Sequence, residues 1–211
     1  MRVEIKPSET ALLIVDMQND FVSKGGFTAK HGSSLWKIVQ EDMVIENILK
    51  AREVARRCRM PIFFVKHVYR RDLSDADERI SDYSLQHPHS WKVNESPVIE
   101  GSWGSEVIKQ LQPEETDYVV SKKRSSAFYN TDLELLLRCR GIKTLIITGI
   151  ATDHCVESTI RSATDRDFNV VVLTDCTATE PKEIHDYWIK NVFPKRAVTM
   201  KTAEFTEMSP S

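Results

Sequence analysis

Short apolar runs alternate with segments of helical periodicity along most of the chain. The runs at 10–16 (Thr-Ala-Leu-Leu-Ile-Val-Asp) and 144–148 (Thr-Leu-Ile-Ile-Thr) are almost continuously apolar, which is typical of strands that are buried on both faces. The pattern predicts further strands at 61–68, 117–121, 169–174 and 197–201.

The segments between these strands carry helix signals. At 43–58 apolar residues recur every three or four positions, and at 131–140 Thr131 and Glu134 form a predicted capping box with Gly141 as the stop. Helices are also predicted at 155–166 and 182–190, with a short helix near 105–111.

Two stretches lack such a period. The polar, glycine-rich residues 19–35 are expected to form a long loop, and residues 69–104 carry charges, prolines and aromatic residues without regular spacing. An irregular segment as long as the second one usually shapes a binding site or a contact between subunits.

Strand and helix alternate six times, with no internal repeat and no linker. This order predicts an α/β fold: a three-layer α/β/α domain with a six-stranded parallel sheet of Rossmann-like type, which spans residues 1–211 as a single domain. In such sheets ligands bind beyond the carboxyl ends of the strands, where the strand order reverses. The strand ends are therefore the first place to look for chemistry.

Composition narrows the class of partner. The hydrophobic fraction of 41% is ordinary, and 29 basic against 31 acidic residues give a net charge of −2, which favours neither nucleic acid nor an anionic membrane as a partner. No apolar run approaches the ~18 residues of a membrane span, and the first residues lack an apolar signal region. We expect a cytoplasmic protein.

Four cysteines are present, and none forms a Cys-x-x-Cys pair. Cys58, Cys139 and Cys176 are interpreted as packing residues, because free cysteine behaves as a small hydrophobe. Cys155 differs, since it follows a strand and begins a predicted helix. That position is expected to expose the sulfur, surround it with unpaired backbone N–H groups and favour the thiolate.

Polar side chains end three of the predicted strands: Asp16 ends the first, Lys122 follows the third, and Cys155 follows the fourth. The set is chemically coherent, because a thiol needs a base or a cationic neighbour to act as a nucleophile near neutral pH. Taken singly, Asp16 also suits the cap of a turn, and Lys122 a solvated basic cluster. Their joint position at strand ends favours a catalytic site.

Three segments carry a family resemblance: Val15-Asp-Met-Gln-Asn-Asp-Phe21, Ser121-Lys-Lys-Arg-Ser-Ser-Ala-Phe128 and Gly149-Ile-Ala-Thr-Asp-His-Cys-Val-Glu-Ser-Thr159. In this order they resemble the isochorismatase-like cysteine hydrolases. The resemblance implies an Asp-Lys-Cys triad of Asp16, Lys122 and Cys155. It also implies a non-proline cis peptide at Ile150–Ala151, with an oxyanion hole formed by the N–H groups of Ala151 and Cys155.

The family has branches that its motifs distinguish. Nicotinamidases have an Asp-x-His metal motif after the second strand, whereas this chain reads Val65-Lys-His-Val-Tyr-Arg-Arg-Asp72 there, and the pair His87 and His89 is weak evidence for a metal. True isochorismatases lack the cysteine. The resemblance is nearest to the metal-free ureidoacrylate, N-carbamoylsarcosine and biuret amidohydrolases, so we expect no metal and no cofactor.

The expected activity is hydrolysis of a C–N bond in a small amide or ureido compound, with release of ammonia from a thioester intermediate. Gly101-Ser-Trp103 resembles a segment of the ureidoacrylate enzymes, and an arginine is suited to grip a carboxylate on the substrate. Candidate substrate contacts are Phe21, Arg70, Trp103, Arg124 and Tyr129. The family commonly forms oligomers, which implies a homodimer or homotetramer.

Two other classes stay open. One is a nicotinamidase-like amidase, and the other is a non-catalytic protein of the same fold that senses oxidants through its thiol. A dinucleotide-binding domain would need Gly-x-Gly-x-x-Gly after the first strand, where this chain has Asp-Met-Gln-Asn-Asp-Phe.

Overall fold

The computed structural model describes residues 5–75 and 97–207. Its centre is a six-stranded, all-parallel sheet with the order β3-β2-β1-β4-β5-β6, which confirms the predicted fold class. The strands are β1 (Thr10–Val15), β2 (Ile62–His67), β3 (Tyr118–Lys122), β4 (Thr144–Ile150), β5 (Asn169–Ala178) and β6 (Val198–Met200).

Helices lie against both faces of the sheet. They are α1 (Asn19–Val22), α2 (Phe27–Lys30), α3 (Leu35–Glu41), α4 (Val44–Arg57), α5 (Leu133–Cys139), α6 (Glu157–Thr164), α7 (Lys182–Tyr187) and α8 (Thr202–Thr206). The stretch 19–35 was predicted as a loop, and this is wrong, because α1 and α2 occupy much of it. Each has only four residues, too few to show a helical period.

Each face of the sheet packs into its own apolar core. In β1, Leu12 and Ile14 belong to the core on the α4 side, whereas Leu13 and Val15 belong to the core on the α5 and α6 side. All six residues of β1 are buried. Burial on both faces is why this strand reads as a continuous apolar run.

The reversal of strand order falls beside β1. The chain adds β2 and β3 on one side of β1 and then crosses to add β4, β5 and β6 on the other. At the carboxyl end of β1, Val15 is paired with Val65 of β2 and with Gly149 of β4. A crevice beyond the ends of β1 and β4 is therefore the expected ligand site for this topology.

Gly149 permits the close approach of β4 to β1 at that point. Its φ of +104° is in the region that favours glycine, and a Cβ built there would lie 2.0 Å from the carbonyl oxygen of Val15. The pairing of β4 with β5 also changes register between Ile147 and Gly149. The glycine that opens the cysteine motif thus has a backbone role.

One local prediction fails. Thr131 and Glu134 do not form a capping box: α5 begins at Leu133, and the hydroxyl of Thr131 donates to the carbonyl of Ala127 and accepts from the N–H of Leu133. Glu134 instead pairs with Arg166, 2.9 Å away, because the start of α5 lies beside the end of α6. Among the described residues, no helix has the length and apolar character needed to span a membrane.

Candidate active site

Asp16 comes directly after β1 at the centre of the sheet. It has a positive φ of 52°, and its N–H donates to the carbonyl of Val65 at 2.8 Å, which ties the turn to the end of β2. Only 2% of the residue is exposed. A non-glycine residue in this conformation is uncommon, and such positions cluster at functional sites.

Lys122 is the last residue of β3 and is fully buried. Its ammonium Nζ lies 2.8 Å from Oδ2 of Asp16 and 3.2 Å from Sγ of Cys155, and it donates to the carbonyl of Arg124 at 3.1 Å. The three residues named from separate strand ends therefore meet at one point, and the lysine joins the acid to the thiol.

Cys155 lies in a turn of π-helix, Thr152–Val156, that leads from β4 into α6. The expectation of an exposed sulfur with a favoured thiolate is wrong. Only 6% of the residue is exposed, and burial raises the pKa of the thiol to about 12, although the neighbouring Lys122 charge acts in the opposite direction. The resting group is thus a thiol, and an attack by sulfur requires a nearby proton acceptor.

Burial also affects the pKa values of Asp16 and Lys122, the ion pair beside the thiol. Burial raises the pKa of Asp16 above its ordinary value, against the attraction of Lys122. Burial would lower the pKa of Lys122, but the negative charges and hydrogen bonds of Asp16 and Cys155 outweigh it and raise that pKa. Asp16 is therefore a stronger base than an exposed aspartate, and Lys122 remains an ammonium.

The peptide bond between Ile150 and Ala151 is cis, as the resemblance implied. It joins the end of β4 to the π-helical turn, in which the carbonyl of Ala151 accepts from the N–H groups of His154 and Val156, both at 3.1 Å. Ala151 and Cys155 were named for an oxyanion hole. Ala151 directly precedes the π-helical turn, and Cys155 lies within it. Their role as donors stays a prediction.

His67 was not named from the sequence, although it ends β2 as the other site residues end or follow their strands. It is buried, is paired with Lys122 across the sheet, and its Nδ1 lies 3.4 Å from the lysine Nζ. Burial and the charges of Lys122, Arg124 and Lys123 hold its pKa well below the ordinary value. Since an ammonium only donates, the neutral imidazole accepts through Nδ1. The strand-end rule, applied to every strand, finds this residue.

Gln18 holds His67 in place. The side-chain oxygen of Gln18 accepts from the N–H of His67 at 2.7 Å, and its amide donates to the carbonyls of His67 at 2.8 Å and Ser105 at 2.9 Å. The fully buried Gln18 side chain thus continues the pairing with β2 beyond the last residue of β1. This contact gives Gln18, a residue of the motif Val15-Asp-Met-Gln-Asn-Asp-Phe21, a structural role.

Asp16, His67 and Cys155 also form a set of possible metal ligands, with ligand atoms within 4.8 Å of one another. The ammonium of Lys122 contacts all three at 2.8 to 3.4 Å. A zinc ion would require ligand distances of about 2.0 to 2.3 Å. The positive charge of Lys122 occupies the position that a metal would need, so the described residues suit a lysine-centred site better than a metal centre.

The candidate substrate contacts fall into two groups. Phe21 and Arg124 lie near the triad: the ring of Phe21 is 6.5 Å from that of His67, and the carbonyl of Arg124 accepts from Lys122. The other three are at the surface, where Arg70 pairs with Asp72, and Trp103 and Tyr129 are more than half exposed. A substrate role for any of the five stays a prediction.

The remaining predictions concern other histidines and cysteines. His87 and His89 lie outside the described residues. Cys58 and Cys176 are buried, but Cys139 is exposed, so its interpretation as a packing residue is wrong. It is the last residue of α5, and its side chain is exposed to solvent there.

A parallel sheet whose strand ends bring an acid, a lysine and a cysteine together defines the class as a cysteine hydrolase of Rossmann-like fold. The family model described as the isochorismatase domain matches residues 10–204, and the chain therefore belongs to the isochorismatase family.

Known relatives carry different functional names. The ureidoacrylate amidohydrolase RutB of Acinetobacter baylyi is 32% identical over 197 residues, covering 90% of this chain and 79% of that protein. A probable inactive nicotinamidase of Arabidopsis thaliana is also 32% identical, over 203 residues that cover 95% and 94% of the two chains. The crystal structure of a cysteine hydrolase from Pseudomonas syringae pv. phaseolicola superimposes with a TM-score of 0.80 at 27% identity, covering 97% and 94%.

Proposed function

We propose that the protein is an amidohydrolase that cleaves the C–N bond of a small amide, ureido or carbamoyl compound and releases ammonia. The observation that carries this proposal is the position of Lys122, whose ammonium contacts both Asp16 and Cys155 while all three residues are buried. A fixed acid, cation and thiol provide a base, a stabilising charge and a nucleophile for attack on a carbonyl.

In the first half-reaction Asp16 accepts the proton of Cys155 while the sulfur attacks the substrate carbonyl carbon. The Lys122 ammonium, 3.2 Å from the sulfur, stabilises the negative charge that develops there. The N–H groups of Ala151 and Cys155 receive the oxyanion of the tetrahedral intermediate. The C–N bond then breaks, the proton on Asp16 passes to the departing nitrogen, and ammonia leaves a thioester on Cys155.

In the second half-reaction water attacks the thioester while Asp16 accepts a proton from it. The C–S bond breaks, and the proton returns from Asp16 to the sulfur. The raised pKa of Asp16 suits both steps, because a general base works best when its pKa is nearer the working pH.

The substrate class follows from charge. Lys123 and Arg124 follow Lys122 directly, and their charges act on His67 at the centre of the site. The guanidinium of Arg124 donates to the carbonyl of Asp75 at 3.0 Å, which places it on the start of the segment after β2. We infer that the substrate carries an anionic group, such as a carboxylate, next to its amide or ureido end. Ureidoacrylate has this form, and the relative from Acinetobacter baylyi is named for it.

The oxidant-sensing alternative fits the site poorly. Oxidants react with the thiolate, and burial raises the pKa of the Cys155 thiol to about 12. The nicotinamidase-like alternative requires a test, because one relative carries that name together with the word inactive.

Ammonia release over a panel of ureidoacrylate, N-carbamoyl amino acids, biuret and nicotinamide tests the proposal. We expect turnover of at least one ureido or carbamoyl compound, and we expect Cys155→Ala to lower kcat by about 10³-fold or more. Intact-mass analysis of the acylated enzyme should place the adduct on Cys155. Turnover of nicotinamide alone, with loss on chelation and recovery with zinc, would support the alternative, and full activity of Cys155→Ala would exclude the proposed nucleophile.

Two further expectations belong to the proposal. A single domain contains the site, and the protein assembles as a homodimer or homotetramer. Light scattering on the full chain measures the second, and a monomer at all accessible concentrations would contradict it.

A further inference from the structure

The turn that carries Cys155 is fastened on its outer side by the segment that follows β5. Thr152, the first residue of the turn, is fully buried, and its hydroxyl lies 2.8 Å from Nδ1 of His185. The next residue, Asp153, accepts from the hydroxyl of Thr179 at 2.6 Å. Two consecutive side chains of the turn are thus tied to α7 and to the connection that precedes it.

Residues of α7 make polar contacts with other elements. Each of its six residues is exposed or only partly buried, including the apolar side chains of Ile184 and Tyr187. Besides the contact of His185 with Thr152, Lys182 forms an ion pair with Asp42 at the surface. The apolar anchor of this segment lies just after α7, where Trp188 and Ile189 pack against the core on the α5 and α6 side. Within α7 itself, the contact of His185 with a fully buried hydroxyl is the attachment to the turn.

The hydrogen bond joins Oγ1 of Thr152 to Nδ1 of a neutral ring. Burial lowers the pKa of His185, so the imidazole is neutral near pH 7; it accepts at Nδ1 when its proton is on Nε2, and it donates from Nδ1 in the other tautomer. This matters for the choice of variants, because an asparagine side chain carries both an acceptor and a donor that can replace Nδ1, whereas a phenylalanine fills the space with neither.

Thr152 directly follows Ala151, whose N–H is a proposed oxyanion donor. The turn is fixed on one side by β4 and on the other by the bonds that the carbonyl of Ala151 accepts from His154 and Val156. The side chains of Thr152 and Asp153 attach the turn to further elements, Thr152 to α7 and Asp153 to the segment after β5. A displacement of about 1 Å in such a turn can cost 10²-fold in rate, because the donors must face the oxyanion closely.

We propose that His185 is a positioning residue for the reaction: through the hydroxyl of Thr152 it holds the turn that presents Cys155 and the oxyanion-hole donors. This inference rests on the proposed function, but the tether itself is a physical contact that exists whether or not a substrate is known.

Four variants test the tether: His185→Phe, His185→Asn, Thr152→Val and the double variant His185→Phe/Thr152→Val. We expect His185→Phe and Thr152→Val each to lower kcat about tenfold while KM stays within about twofold, since the substrate contacts remain. His185→Asn should recover most of the rate. The double variant should be no worse than either single variant, because both changes remove the same bond. Lys182→Met, which breaks the neighbouring ion pair on α7, is the matched control and should keep the kcat of the unmodified protein.

Hydrogen exchange of the backbone amides at 151–156 provides a second readout that needs no substrate. His185→Phe should increase exchange there, and Lys182→Met should not. If the unmodified protein releases no ammonia from any substrate, the proposed function fails. Hydrogen exchange at 151–156 in His185→Phe still tests whether His185 holds the turn. Unchanged exchange and unchanged kcat in His185→Phe would overturn the inference. So would a variant that is only less stable and has normal kcat where it is folded, or a His185→Asn variant as impaired as His185→Phe.

Discussion

The carboxyl ends of the strands and the loops that follow them hold similar side chains in different ways. Lys122 ends β3, is fully buried and contacts Asp16, Cys155 and His67. Its neighbour Lys123 has a side chain that is 35% exposed and pairs with Asp75 at 3.1 Å. The two lysines are adjacent in sequence, yet only the one on the strand contacts Asp16 and Cys155. Lys123 lies just past the end of β3 and successive side chains of an extended chain point in opposite directions, so the two lysines meet different partners.

The same contrast separates the candidate substrate contacts from the triad. Arg70, Trp103 and Tyr129 lie on loops or short turns at the surface, whereas Asp16, Lys122 and Cys155 are held by strands or by the turn that follows one. Residues on rigid elements keep a precise geometry, and residues on loops adapt to the ligand. The comparison leads to four predictions, beginning with the largest expected effect.

Replacing Lys122 should be far more harmful than replacing Lys123. Lys122→Met leaves Asp16 and Cys155 buried without their cation, and we expect kcat to fall by about 10³-fold or more. Lys123→Met should retain kcat within about threefold, because it removes a partly exposed ion pair with Asp75 and a hydrogen bond to the carbonyl of Val68, neither of which involves Asp16 or Cys155. The measurement is ammonia release with the best substrate of the panel. Equal losses in the two variants would contradict the contrast between strand and loop.

Gly149→Ala should destabilise the protein strongly. The new Cβ would lie 2.0 Å from the carbonyl oxygen of Val15, so β1 and β4 must separate next to Asp16, and we expect a loss of about 3 kcal/mol or more in the free energy of unfolding. Gly32→Ala is the matched control, since its φ of +93° is similar but its Cβ would meet nothing within 4 Å. It should cost only about 1 to 2 kcal/mol. Urea denaturation measures both, and similar midpoints for the two variants would refute the close-approach argument.

Replacing Arg124 should raise KM much more than replacing Arg70. Arg124→Ala removes a guanidinium next to Lys122, and we expect KM for an anionic substrate to rise about tenfold, which is about 1.4 kcal/mol. Arg70→Ala removes a surface pair with Asp72 and should change KM by less than twofold. Steady-state kinetics with a charged substrate and a neutral analogue distinguishes charge recognition from misfolding. A larger effect of Arg70→Ala would move the anion site to the segment after β2.

Stability should fall as the pH is lowered below about 6.5, because His67 is neutral in the folded protein. Its pKa is held well below the ordinary value by burial and by the charges of Lys122, Arg124 and Lys123. The unfolded chain therefore binds the proton first, so this contribution is complete above the unfolded pKa and is lost as the pH drops toward the folded one. Urea midpoints at pH 7 and pH 5 should differ by on the order of 1 kcal/mol in the unfolding free energy. His67→Gln should show a smaller difference, and an identical pH dependence in both proteins would argue against a buried neutral His67.

Much of the fold is readable from local pattern. The apolar runs predict the strands because a strand buried on both faces must be apolar throughout, and the alternation of strand and helix predicts a parallel sheet. Short helices are not predicted by this pattern, because the four-residue helices α1 and α2 are too short to show a helical period. The capping box at Thr131 also fails, because Glu134 pairs with Arg166 in the turn after α6, a partner that no local pattern reveals.

The candidate site is readable in part. The sequence by itself places Asp16, Lys122 and Cys155 at strand ends, because the order of the strands and the rule that parallel strands end at one edge are both encoded locally. Tertiary structure alone decides that Cys155 is buried with a raised pKa, and that His67, Gln18 and His185 contact the groups around it. Burial and distance depend on the packing of segments far apart in the chain, and packing is what a linear pattern of residues does not contain.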